Sequence, residues 1–128
     1  MPASKRQSIL IIDENQQRKM SLSSRLRMQG YTIDIATGGF HSIHLLEKNH
    51  YNLVLLIDDM MDMAAHETLG LIRACKSSSK VPVIVLRSEG QELENDVLKI
   101  INRDAPQAIA PWQNDFRAVL RQISGHIS

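Results

Sequence analysis

Short unbroken apolar runs alternate along this chain with longer stretches in which apolar residues recur every three or four positions. Ile9–Ile12, Leu53–Ile57 and Val81–Leu86 are such runs. Each predicts a strand buried on both faces, as in parallel sheets covered by helices. Pro82 is tolerable in the last of them because it precedes the first ladder bonds. Tyr31–Ala36 alternates polar with apolar residues and predicts a strand half open to water or at a sheet edge. Ala108–Ala110 is a short fifth strand running into Pro111 and Trp112. Between Gln16 and Gln29 there is no proline or glycine, and Met20, Leu22, Leu26 and Met28 form a modest helical stripe, stopped by Gly30 where a left-handed C-cap is wanted. Phe40, Ile43 and Leu46 predict a short second helix, to about His50. Ala65, Leu69, Ile72 and Cys75 define one face of a third. Ser88 with Gln91 resembles a capping box opening a fourth, in which Leu93, Val97, Ile100 and Ile101 share a face. Asn114 or Asp115 can cap a last helix striped by Phe116, Val119, Leu120 and Ile123.

Five strands alternating with helices, joined by short connections, call for a three-layer α/β sandwich with a parallel sheet and right-handed crossovers. The 128 residues form one domain, 1–128 with a core of about 8–123, long enough to bury about 65–70% of the unfolded surface. Aromatics are only 4% of the chain, so the core must be aliphatic. A net charge of +1 gives no electrostatic footprint for nucleic acid or an anionic membrane. The single cysteine, Cys75, excludes an internal disulfide; on the apolar helix face it reads as a small buried hydrophobe. The polar MPASKRQ start lacks the apolar core of a signal peptide. No apolar run approaches the ~20 residues of a membrane span. The expectation is a cytoplasmic domain.

Sheets of this kind carry their chemistry just past the carboxyl ends of the strands. There the first strand gives way to Asp13 and Glu14, and the third meets Asp58, Asp59 and Asp62 in a methionine-rich turn. Without a cation, the adjacent carboxylates Asp13 and Glu14 would repel each other. His41 and His44 lie three apart, but no third ligand has suitable spacing, so both are expected to face solvent. Arg18, Lys19, Arg25 and Arg27 make the first helix basic, which at this net charge reads as a solvated face.

The order of elements, the acidic pair, YNLVLLIDDMMDM, VPVIVL and the Ala-Pro-Trp after the fifth strand resemble the receiver domain of bacterial two-component response regulators. The resemblance covers about Ser8 to Ile123. It implies a flavodoxin-like doubly wound fold, a five-stranded sheet in order 2-1-3-4-5. It also implies phosphoryl transfer to an aspartate ending the third strand, with Mg²⁺ held by that aspartate and the acidic pair. A Ser or Thr after the fourth strand and a Lys after the fifth would bind the phosphoryl oxygens. Carried over by position, the acidic pair matches Asp13 and Glu14. Met60 and Met63 keep the family spacing only if Ile57 stands in the nucleophile's place, with Met61 where proline is usual. The hydroxyl position falls on Arg87, the lysine on Ala110 and the switch aromatic on Gln107. Isoleucine has neither nucleophile nor metal-binding lone pair, and alanine cannot form an ion pair.

The resemblance with these replacements implies a degenerate receiver, a pseudo-receiver acting by protein–protein interaction without aspartyl phosphorylation and without enzymatic activity. No cofactor is expected. Were a Mg²⁺ to bind, Asp13, Glu14 and Asp58 would hold it. Arg87 is expected to reach across the strand ends to Asp13, Glu14 or Asp58 as a permanent cation. One alternative is a working receiver phosphorylated at Asp58, although strand alternation sends that side chain to the side opposite Ile57. An alternative of another class is a flavodoxin-like nucleotide or flavin binder, but DENQQ after the first strand is not a phosphate-cradling loop. The family signals through its fourth helix, fifth strand and last helix. Here that surface would present Lys99, Asn102, Arg103, Gln107, Trp112, Arg117 and Arg121 to a kinase, an output domain or a second copy. By the same resemblance, Ala110–Pro111 is expected to be cis.

Overall fold

The aliphatic runs assemble into one five-stranded parallel sheet in the order β2-β1-β3-β4-β5 in a computed structural model of the chain. The strands are β1 (Ser8–Ile12), β2 (Thr32–Ala36), β3 (Leu53–Asp58), β4 (Val83–Arg87) and β5 (Ala108–Pro111). The helices are α1 (Gln16–Met28), α2 (Gly39–Lys48), α3 (Ala65–Ala74), followed by a 3-10 turn at Lys76–Ser78, and α4 (Phe116–Ser124). The structure describes residues 7–58, 63–87, 108–111 and 116–125, with backbone alone at 58, 87 and 108–111. The predicted helix opening near Ser88 lies outside them, as do Asn114 and Asp115.

Strand alternation sorts the core into two layers. Leu10, Ile12, Val54, Leu56, Val83 and Val85 turn to one face, against Leu46 of α2 and Leu69 and Ile72 of α3. Ile9, Ile11, Leu53, Leu55, Ile57, Ile84 and Leu86 turn to the other, against Leu22 and Leu26 of α1 and Val119 and Ile123 of α4. Both faces of β1, β3 and β4 are therefore dry, which is why these strands are unbroken aliphatic sequence. β2 lies at the sheet edge, and its polar Thr32 and Asp34 are exposed. Burying a Val, Leu or Ile side chain contributes about 1.5–3 kcal/mol, and the two layers are built mostly from such residues.

Several expectations are corrected. In α1 the buried positions are Lys19, Leu22, Ser23 and Leu26, while Met20 and Met28 are exposed. The two methionines are out of phase with the 19-22-23-26 row. In α2 the buried face is Gly39, Ser42 and Leu46, with Phe40 out in solvent. Gly39 sets that phase, because a Cβ there would lie 2.6 Å from Thr68 Oγ1 and 2.9 Å from Met63 Sδ, so α2 can approach α3 closely. Cys75 is half-buried and not a core residue. The helix ends at Ala74, and extended backbone at Cys75 (φ −79°, ψ 127°) takes it out of the apolar row. The Ala110–Pro111 bond is trans, and β5 continues through it in register with β4, Pro111 opposite Arg87. An extended strand running to Pro111 is satisfied by the ordinary trans geometry. Gly30 does take the left-handed conformation (φ 98°), and its N–H caps Arg27 O at 3.0 Å.

Candidate functional site

The carboxyl ends of β1, β3 and β4 bring together the segments that the sequence singles out. Ile12 pairs with Leu56 across the ladder, so Asp13 and Ile57 occupy the next positions along the two strands. Ile57 pairs with Leu86, and Asp58 with Arg87. Ile57 is fully buried within the layer that packs on α1 and α4. β3 runs one residue past it, to Asp58. Beyond Asp58, Asp59 and Asp62 lie outside the described residues.

Asp13 is also fully buried, and its carboxylate is closed off by its own loop. Arg18 Nε donates to Oδ2 and Arg18 Nη2 to Oδ1, both at 2.6 Å. The backbone N–H of Asn15 donates to Oδ1 at 3.0 Å, and the Asp13 N–H is taken by Ala36 O at 3.1 Å. The guanidinium side of this pair is only 11% exposed. Local sequence explains the geometry. Asn15 is the N-cap of α1, its Oδ1 accepting the Arg18 N–H at 2.9 Å. Arg18 is then the third helical residue, whose side chain leans back over the helix start, the path that a capping box uses. Asp13 also sits where the positive end of the α1 dipole favours an anion.

The expectation that Arg18, Lys19, Arg25 and Arg27 form a solvated face is corrected for Arg18 and Lys19, while Arg25 and Arg27 are exposed as expected. Arg18 is committed to Asp13, Lys19 is buried, Arg25 lies over the Phe116 ring of α4 at 5.5 Å, and Arg27 Nη2 donates to Ile33 O at 3.3 Å. Asp13 finds its cation on α1. Arg87 ends β4, and the reach of its side chain lies outside the described atoms. Glu14 is half-buried beside the pair. Mg²⁺ demands several oxygen ligands in near-octahedral array. Ile57 offers none, and both Asp13 oxygens are already taken by the guanidinium. The described donors do not fit that ion.

Ala110 lies in β5 opposite Leu86. Lys99, Asn102, Arg103, Gln107 and Trp112 fall outside the described residues, while Arg117 and Arg121 are exposed on α4. His41 and His44 face solvent, His41 Nδ1 accepting the Thr37 N–H at 3.2 Å. None of the described helices is long and apolar enough to cross a membrane.

Comparison with known proteins bears directly on this sheet edge. The family profile of the response regulator receiver domain matches residues 9–111. The sensor protein EvgS of Escherichia coli K12 is 29% identical over 89 residues, 70% of this chain and 7% of EvgS. The probable transcriptional regulator ycf27 of Porphyridium aerugineum is 29% identical over 126 residues, 92% of this chain and 50% of that protein. The chain thus spans half or less of these relatives. Among solved structures, chemotaxis protein CheY4 of Vibrio cholerae superimposes with a TM-score of 0.85 at 14% identity, covering 95% of this chain and 99% of that one. The receiver domain of sensor histidine kinase PA1611 from Pseudomonas aeruginosa, which holds a magnesium ion in its active-site cleft, gives 0.82 at 19% identity, covering 95% and 98%. With its 2-1-3-4-5 sheet and its acidic loop after β1, the chain belongs to the response regulator receiver domain family of two-component signal transduction.

Proposed function

We propose that this receiver has left the phosphorylation cycle and works as a non-enzymatic recognition module, one protein surface held in one state. The observation that carries the reading is Ile57, fully buried one step along the sheet from Asp13. Under the positional carry-over, it occupies the place of the reactive aspartate, where it has no lone pair for phosphorus or metal. The bidentate Arg18–Asp13 pair supports the same reading, since it supplies a fixed positive charge in the acidic loop. Arg87 and Ala110 stand in the places of the hydroxyl and lysine that read the phosphoryl group, so neither that small hydroxyl nor that ion pair is offered at these positions. The partners proposed are proteins, such as a kinase, an output domain or a second copy. The family match favours signalling over the flavin-binding alternative.

A second reading keeps the phosphorelay, with Asp58 as acceptor. It draws on the extension of β3 to Asp58, which ends the strand opposite Arg87. Incubation with Mg²⁺ and acetyl phosphate, followed by intact mass, separates the two. The proposal expects no added phosphoryl mass. A phosphoryl group that disappears in Asp58→Asn would overturn it.

A further inference from the structure

At the other end of the sheet, where β3 and β4 begin, a cleft of about 390 Å³ opens between the end of α2 and the loop after α3. Its rim carries three nitrogen bases, His50, Lys76 and Lys80, and among the described residues no carboxylate lines it. Among the described residues, neither lysine makes an ion pair. Leu46, Val81 and Pro82 provide apolar wall, and the nearly buried Tyr51 ring closes one side.

Two features make this more than a basic dent. The loop carrying the lysines is tied down from within. Arg73 Nη1 donates to Val81 O at 2.6 Å and to Ser78 O and Ser79 O at 3.4 Å, and Ser78 Oγ donates to Ile72 O at 2.7 Å. Such a loop loses little freedom when a ligand arrives. Second, the helix-end carbonyls that would repel an anion are covered. Leu45 O accepts the Asn49 N–H at 2.9 Å and Asn49 Nδ2 at 3.2 Å, and Leu46 O accepts Ser77 Oγ at 2.8 Å. The negative end of α2 is thereby blunted just where the cations gather.

We propose that this cleft binds a small phosphate monoester of about mononucleotide size. Two lysines match a dianion as point charges, and Asn52, whose Oδ1 accepts the Ser8 N–H at 2.8 Å, has its Nδ2 to donate to the oxygens. The volume falls within the usual range for small-molecule pockets, and a concave site of this size suits a compact ligand better than an extended peptide. The site is independent of the acidic loop at the opposite sheet edge, so it stands whether or not Asp58 accepts phosphate.

The test is amide NMR of the intact chain titrated with AMP, with adenosine as the uncharged control and inorganic phosphate as competitor. Saturable AMP shifts are expected at 49–52 and 76–81, reduced by phosphate, absent with adenosine, and at least about tenfold weaker in Lys76→Gln/Lys80→Gln. Both lysines are exposed, so that variant is expected to keep the wild-type fold, checked by its undisturbed spectrum elsewhere. Several results would overturn the proposal: no response to AMP at about 5 mM, equal shifts with adenosine, undiminished binding by the double variant, or shifts confined to 13–18.

Discussion

Replacing Arg18 by methionine leaves a fully buried carboxylate without its cation, and its cost can be bounded. Removing one member of a buried ion pair typically costs about 3–5 kcal/mol, because the other charge stays desolvated. Here the Asn15 N–H still reaches Oδ1, and Asp13 sits at a helix N-terminus, each supplying part of what is lost. These place the expected loss at the lower end, about 3 kcal/mol, or roughly 10 °C in Tm for a chain of this size. Arg18→Met with Asp13→Asn removes both charges, so the double variant should lose less than the single, giving a coupling of about 2 kcal/mol or more. Urea denaturation followed by circular dichroism at pH 7 measures all four corners of the cycle. A second readout addresses function. Once the guanidinium is gone, Asp13 and Glu14 are two carboxylates without it, and millimolar Mg²⁺ should restore stability to Arg18→Met while leaving the wild type unmoved, since a ligand binding only the native state stabilises it by mass action. A single-variant loss below about 1 kcal/mol, or equal stabilisation of both proteins by Mg²⁺, would refute the claim that Arg18 serves as the pocket's built-in cation.

Other consequences are independent of that pair. Tyr51 donates to Asp34 Oδ2 at 2.6 Å, and burial followed by that carboxylate pushes its phenol well above the ordinary range. A raised folded pKa contributes stability that is complete below about pH 10 and fades as pH climbs beyond it. Urea midpoints at pH 8 and pH 11 should therefore fall more in wild type than in Tyr51→Phe, and the variant should lose about 1.5–3 kcal/mol at pH 8; parallel falls would count against the bond. Gly39→Ala should destabilise by about 1–3 kcal/mol despite better helix propensity, because Thr68 Oγ1, held by its bond to Ala64 O at 3.1 Å, stands in the way. Thermal melts check this, and an unchanged Tm would mean that the α2–α3 contact yields easily. The Cys75 thiol is held below its usual range chiefly by the Ser77 side chain, whose Oγ lies 3.2 Å away. Its reaction with a disulfide reagent should titrate with a lower apparent pKa in wild type than in Ser77→Ala, and coincident profiles would show that Ser77 has no such effect.

The fold was legible because burial on both faces leaves strand sequence no choice but aliphatic residues. β1, β3 and β4 could be read directly from their unbroken runs, and edge strand β2 from its alternation. The helices were harder where apolar side chains point outward. Met20, Met28 and Phe40 look like core residues, yet the phase of α1 is set by Leu22 and Leu26, and that of α2 by the close approach at Gly39. Periodicity counts apolar residues equally. It cannot see that a glycine lets two helices meet and thereby decides which side of the helix is inside. Cys75 failed for a related reason, being one residue past the end of its helix, where the spacing no longer means a shared face.

The acidic pocket shows a different limit. Methionine spacing, through the resemblance, assigns Ile57 the nucleophile's place, and the structure buries its side chain one residue before the end of β3. The sequence points to Arg87 on β4, whose side chain lies outside the described atoms; the cation seen on Asp13 lies five residues along the same chain. A local signal was present. Asn15 before a Pro-free run is an N-cap, an N-cap makes Arg18 the third helical residue, and that residue's side chain folds back on the turn before the helix. A charge supplied so locally forms with the helix itself and needs no ion, no phosphoryl group and no neighbouring strand. If the recognition surface is held in one state, this is a sufficient physical reason: the carboxylate that would otherwise wait for Mg²⁺ is already neutralised when α1 folds. A wild-type protein whose amide spectrum shifts on adding Mg²⁺ and beryllofluoride would show that the pair opens, and with it that the domain still switches.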